Sequence, residues 1–159
     1  TYYVIGHFHY LVAPGTMFAL FAAVYHWFPK VTGRRMDERL GFVHFIGSFV
    51  AMNAVFLPMF LMGIMGVNRR MYDAGLQYQL AEPTLAWNPH MTWNAVALGV
   101  FQLVFLFNIV WSAKRGVPAD NPWQATTLEW ATPSPPPPGN FLEPPVVTGG
   151  PYRYEEEQA

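Results

Sequence analysis

The chain has 159 residues, of which 52% are hydrophobic and only 12% are charged, and its formal net charge is −1. Soluble domains contain about 25% charged residues, so this composition favours a membrane protein. The small net charge argues against nucleic-acid binding. The lack of cysteine excludes disulfides, zinc–thiolate sites and a thiol nucleophile.

Three long stretches contain no Lys, Arg, Asp or Glu, and they predict three membrane-spanning helices. The stretches are 1–29, 40–68 and 83–113, and we expect the apolar helices at 2–28, 40–65 and 93–111. Each is close to the ~20 residues that cross the hydrocarbon core of a bilayer. A soluble helical protein is the alternative, but its helices show a polar face, which these stretches lack.

The first predicted helix contains the pair His7 and His9. A helix turns about 100° per residue, so these side chains leave the helix about 200° apart. They are poorly placed to bind one metal together, but each can bind a different metal, as a helix lying between two haems requires. Ionisable groups inside a bilayer are candidate functional groups. The alternative is that both are hydrogen-bonded core histidines.

The basic residues near the helix ends predict the orientation of the chain. The loop after the first helix and the segment after the third are rich in Lys and Arg, and three crossings place both on the same side. Basic loops favour the cytoplasmic side, so the C-terminus is predicted to be cytoplasmic. The residues are Lys30, Arg34, Arg35, Arg39, Lys114 and Arg115.

Arg69 and Arg70 follow the second predicted helix on the opposite side, where basic residues are disfavoured. They are either an ordinary exposed pair or a pair that faces fixed anions. Arginine forms bidentate pairs with carboxylates, and haem propionates are such anions. A haem bound by His7 or His9 would place its propionates at a similar depth.

The last part of the chain, 116–159, differs in composition. It contains the run of prolines at 135–138, the pair Pro144 and Pro145, and three glutamates at 155–157. Proline runs favour extended polyproline II without internal hydrogen bonds. We expect 1–115 to form the three-helix membrane segment, and 116–159 to be a non-globular extension on the inner face.

Several segments together resemble the C-terminal quarter of subunit I of the haem–copper respiratory oxidases. The resemblance covers nearly the whole chain, and the combination of His-Phe-His with Arg-Arg about sixty residues later is its most specific part. The segments are Gly6-His7-Phe8-His9-Tyr10, His26-Trp27-Phe28-Pro29, Gly66-Val67-Asn68-Arg69-Arg70 and Thr127-Leu128-Glu129-Trp130.

This resemblance implies an all-α membrane fold in which the three helices are the last three of a twelve-helix bundle. It implies that His7 is the proximal ligand of the high-spin haem and His9 an axial ligand of the low-spin haem. Phe8 would pack between the haems, and Arg69 and Arg70 would hold propionates. The implied cofactors are two haems, of the a type, and a copper ion.

The resemblance also implies what this chain does not supply. The copper ligands and the second ligand of the low-spin haem lie earlier in the family's sequence, so these residues cannot reduce oxygen alone. The implied partners are the remainder of subunit I, subunits II and III, cytochrome c and membrane lipid.

Many members carry histidine where this chain has Phe60, so that residue's role cannot be transferred. The long loop at 77–90 suggests a bacterial enzyme in the inner membrane.

The implied function is electron transfer from cytochrome c through the low-spin haem to a haem–copper centre, which reduces oxygen to water with proton translocation. A quinol oxidase or nitric oxide reductase of the same superfamily is one alternative. A non-catalytic membrane subunit that retains the motif is another. Structural roles are expected for His26, His44 and His90.

Overall fold

The computed structural model describes residues 1–71, 82–147 and 149–150. The loop residues 77–81 and the end of the tail, 151–159, therefore lie outside the described residues. The ordered elements are all helical within the described ranges. They are α1 (Tyr2–Val12), a π-helical segment (Ala13–Phe18), α2 (Ala19–Thr32), α3 (Glu38–Ile64), a 3₁₀ turn (Glu82–Thr84), α4 (Trp87–Arg115) and α5 (Leu128–Ala131).

Three helical spans in the described residues are long and apolar enough to cross a membrane: Tyr2–Thr32, Glu38–Ile64 and Glu82–Arg115. The predicted all-α membrane fold is confirmed. The first and third spans are longer than predicted. The first continues through Pro29, which membrane helices tolerate. The helix of the third span begins at Trp87 rather than at Trp93, because nothing charged separates the two tryptophans.

The first span changes its winding at Pro14. Residues Ala13–Phe18 form a π-helical segment between α1 and α2, with the proline in its first turn. Proline has no backbone N–H and clashes with the preceding turn of an α-helix. A wider turn relieves that clash without ending the helix, which is why one continuous span is retained.

The described residues form two compact units. The first contains residues 1–22 and the described part of 39–106. In this unit α1 packs antiparallel against α3, because Tyr3 lies beside Gly63 while Gly6 lies beside Phe56. A small core of Met62, Val67 and Met91 is completed by the partly buried Tyr2, Met59 and Trp87.

A polar cluster links α3 to α4 in the same unit. The side-chain amide of Gln102 donates to the hydroxyl of Ser48 at 3.0 Å, and its oxygen lies 3.3 Å from Nε2 of His44. Both His44 and Ser48 are buried. Polar groups in an apolar interior need such partners, so this cluster fixes the pairing of α3 with α4.

The second unit contains 23–38 and the described residues from 107 onward. Two buried side chains of α4 bind the backbone just before α3. The N–H of Asp37 donates to Oδ1 of Asn108 and to Oγ of Ser112, at 3.2 and 3.0 Å, and Nδ2 of Asn108 donates to the Asp37 carbonyl at 2.9 Å. These bonds satisfy backbone groups at a helix start that helix geometry leaves unpaired.

The described part of the tail is irregular, as predicted, but it has specific tertiary contacts. The ammonium of Lys30 in α2 is buried, donates to the Thr132 carbonyl at 2.7 Å and lies 4.8 Å from the ring centre of Trp130. Nε1 of Trp123 donates to the His26 carbonyl at 3.0 Å. The tail therefore packs against α2 instead of extending freely.

Candidate functional site

Both histidines of the His-x-His motif lie on α1. Nδ1 of His9 is 2.8 Å from the carbonyl oxygen of Ile5, one turn earlier in the helix. A carbonyl oxygen only accepts, so Nδ1 is the donor. In the neutral ring this bond leaves the lone pair on Nε2, and fixing the tautomer in this way is typical of metal-ligating histidines.

The ring of His9 contacts the rings of two phenylalanines. It stacks on Phe56 of α3, with ring centres 4.3 Å apart and planes 12° apart. The ring of Phe8 also contacts the His9 ring, with ring centres 4.4 Å apart. His9 is half-buried, whereas His7 and Phe8 are exposed. The two imidazoles thus have different surroundings, as separate ligand sites require.

The packing of α1 on α3 determines where these side chains point. Tyr3, Gly6 and Tyr10 face α3, and about 100° per residue places them within about 60° of one another. By the same geometry His7 leaves this face on one side and His9 on the other, while Phe8 points away from α3. The helix therefore directs the two imidazoles to opposite flanks of one packing face.

One polar contact lies in this α1–α3 interface. The hydroxyl of Tyr10 donates to Oδ1 of Asn53 at 2.7 Å, and Nδ2 of Asn53 donates to the Phe49 carbonyl at 2.8 Å. Asn53 also lines a groove of about 420 Å³ whose described walls are mainly apolar. Tyr10 immediately follows His9, so this bond anchors the turn of α1 that contains His9.

The loop that contains the arginine pair is attached to the start of α1. The N–H of Tyr2 donates to the Val67 carbonyl at 3.0 Å, and Val67 is fully buried. Arg69 and Arg70 follow within three residues, and both are exposed. His7 lies five residues along α1 from Tyr2, which is about 7.5 Å of helix. The histidine pair and the arginine pair therefore belong to the same end of this unit.

Arg70 has φ = 63°, a left-handed backbone conformation that is uncommon for a residue with a side chain. Such conformations cost free energy and are concentrated at functional sites. The guanidinium groups of Arg69 and Arg70 are thus presented from a sharply turned loop.

The other histidines have structural surroundings. His44 stacks on Phe105 with ring centres 4.8 Å apart. His26 stacks on Trp123 at 5.5 Å and meets Trp130 edge to face. His90 lies one helical turn before Asn94, whose Nδ2 donates to its carbonyl at 2.8 Å. The structural roles expected for these residues stay predictions.

The histidines and arginines of this chain suit part of a haem-binding site. A haem iron would need a single histidine from α1. Nε2 of His9 has its lone pair available, and the exposed Arg69 and Arg70 would suit anionic propionates. Across the described ranges no group of three or more His, Cys, Asp or Glu could hold a bare metal ion. That observation does not bear on haem, which supplies four ligands of its own.

The sequence did not reveal the Tyr10–Asn53 bond or the close approach at Gly6. Tyr10 and Asn53 are separated by 43 positions, and no local pattern joins them. The one available signal was a polar residue inside each of two apolar helices. Gly6 is followed by the histidine motif, and a β-carbon there would lie 3.1 Å from the Phe56 carbonyl oxygen.

Comparison with known proteins gives consistent matches. The sequence model of the family described as cytochrome c and quinol oxidase polypeptide I matches residues 1–112. Cytochrome c oxidase subunit 1 of Synechocystis sp. is 46% identical over 155 residues, which cover 97% of this chain and 27% of that protein. The protein of the same name from Thermostichus vulcanus is 47% identical over 161 residues, covering 99% and 28%.

A further relative is the alternative cytochrome c oxidase subunit 1 of Bradyrhizobium diazoefficiens, which is 41% identical over 138 residues, or 86% of this chain. The chain spans about a quarter of the length of these curated relatives, with shares of 27%, 28% and 23%.

Proposed function

Because the chain belongs to the cytochrome c and quinol oxidase polypeptide I family, we propose that it forms the haem-ligating part of the catalytic subunit of a respiratory terminal oxidase. In this proposal, electrons pass from cytochrome c through a low-spin haem to a haem–copper centre, where oxygen is reduced to water with proton translocation. The relatives' name, cytochrome c oxidase, supports cytochrome c as the donor.

The single observation that carries the proposal is the arrangement of His7 and His9 on α1. The two side chains leave opposite flanks of the face that packs on α3, so each meets a different group. We assign His7 to the high-spin haem and His9 to the low-spin haem. Nε2 of His9 has its lone pair available because Nδ1 donates to Ile5.

The remaining residues of the site would orient the haems and shield them from water. Phe8 points away from α3 between the two ligands, which suits packing between two haem planes. Arg69 and Arg70 would provide positive charge for the propionates and would favour the reduced iron, since arginine keeps its charge in low-dielectric surroundings. The apolar walls of the spans limit the access of water. The bound haems, of the a type in this proposal, supply the electron-transfer and oxygen chemistry.

Copper ligands, the second ligand of the low-spin haem, and subunits II and III belong to the proposed complex and not to these residues. We further propose that the complex lies in a bacterial inner membrane with the C-terminus of this chain in the cytoplasm. The basic residues Lys114 and Arg115 at the end of α4 support this orientation.

Two single variants test the assignment in the assembled complex. His9→Asn should remove the low-spin haem absorption band and leave the haem that binds carbon monoxide. His7→Asn should have the reverse effect. His90→Asn is the matched control, because His90 lies on α4, and it should retain both haems. If the His9→Asn complex kept the low-spin band unchanged, the assignment would be wrong.

A further inference from the structure

The contact between α1 and α3 consists mainly of close packing at glycine residues. Gly63 accommodates Tyr3, and Gly6 lies against Phe56 and Met59. Glycine contacts of this kind allow two helices to approach closely. They set the distance between the helices, but a smooth glycine surface resists rotation of one helix about its axis only weakly.

The Tyr10–Asn53 hydrogen bond restricts rotation of α1 about its own axis at this interface. Oδ1 of Asn53 accepts from Tyr10, and Nδ2 of the same amide is held by the Phe49 carbonyl within α3. Both ends of the amide are therefore fixed, and the tyrosine hydroxyl has a defined target. In an apolar membrane interior, water does not compete for these groups.

This bond acts on the turn that contains His9. Tyr10 is the next residue along α1, and Asn53 lies one turn from Phe56, whose ring stacks on His9 at 4.3 Å. A rotation of α1 would swing His9 off that ring and would turn His7 in the same sense. Holding Tyr10 to α3 therefore holds the direction of the His9 imidazole.

We propose that Tyr10 and Asn53 are positioning residues that fix the orientation of the His9 imidazole plane toward its iron, an inference that rests on the proposed function. The orientation of an axial imidazole affects the electronic structure of a low-spin haem, which gives the proposal a spectroscopic readout. Residues that do not bind a metal themselves commonly orient the side chains that do.

The test compares Tyr10→Phe with Tyr3→Phe in the assembled oxidase complex. Both tyrosines contact the same ring, Phe60, with centres 5.5 and 5.0 Å apart. They differ in that Tyr10 donates to Asn53, whereas the Tyr3 hydroxyl has no hydrogen-bond partner among the described residues. The measurements are the low-spin electron paramagnetic resonance g values and the reduced absorption band of the same haem.

We expect Tyr10→Phe to retain both haems and to shift the low-spin g values, while Tyr3→Phe matches the parent. Asn53→Leu should cause the same shift, and the double variant should add nothing to it, because each change removes the Tyr10–Asn53 bond. Equal spectra for Tyr10→Phe and Tyr3→Phe, in a complex with both haems, would overturn the positioning role.

Two other outcomes are distinguishable. If Tyr10→Phe and Asn53→Leu lost both haem signals while Tyr3→Phe retained them, the bond would hold the fold and not the ligand direction, which also overturns the inference. If the His9→Asn complex kept its low-spin haem, the proposed function itself would fail.

Discussion

Gly63 of α3 lies directly against the backbone of Tyr3 in α1, so closely that a β-carbon on Gly63 would overlap the amide of Tyr3. Because backbone atoms cannot move aside as the end of a flexible side chain can, this contact requires glycine. It places the second span against the start of the helix that carries His7 and His9.

Gly63→Ala should therefore destabilise the packing of α1 on α3, by about 1–3 kcal/mol, as overpacked sites commonly do. The measurement is the thermal stability of the detergent-solubilised complex, followed by haem release. Gly99→Ala is the control, since a β-carbon at Gly99 meets no described atom within 4 Å. Equal stability of the two variants would contradict this account of the interface.

Arg70 combines a positive charge with a left-handed backbone conformation. A suitable substitution should remove the charge and keep the backbone conformation. Asparagine adopts this conformation more readily than most residues, so Arg70→Asn removes the charge with little added strain. If Arg70 faces a propionate, loss of its charge should lower the midpoint potential of the nearby haem, because a positive charge favours the reduced iron.

A redox titration of the Arg70→Asn complex measures this shift. Arg115→Asn, at the C-terminal end of α4, removes the same charge and should leave the potentials unchanged. The propionate assignment is abandoned if Arg69→Asn and Arg70→Asn both titrate like the parent.

Lys30 connects α2 to the tail through the Thr132 carbonyl and the Trp130 ring. Lys30→Met keeps the apolar stem but removes the charged donor, whose hydrogen bond contributes about 1.5–3 kcal/mol. We expect the tail to be cleaved faster by a protease in the variant. Lys114→Met, at an exposed lysine, should be cleaved like the parent, and equal rates for both variants would contradict the role of Lys30.

The membrane spans could be predicted because their signal is local. Charge-free stretches of sufficient length identify helices wherever they occur. The predicted helix ends are less accurate because Pro29 and Trp93 resemble boundaries in the sequence, whereas a membrane helix can continue through both.

The directions of the site residues could be predicted only in part. The angle between His7 and His9 follows from helix geometry alone. The partners of the site do not, because Tyr10 meets Asn53 across 43 positions and Lys30 meets Thr132 across 102. Such contacts depend on how whole helices pack, and nothing in the neighbouring residues encodes them.

The central claim is that α1 carries one ligand for each of two haems. The most direct measurement is a reduced-minus-oxidised visible spectrum, with and without carbon monoxide, of the intact complex purified through a tag on this chain. The account predicts two haems, of which only one shifts with carbon monoxide. A purified complex without haem, or one in which both haems respond to carbon monoxide, would contradict it.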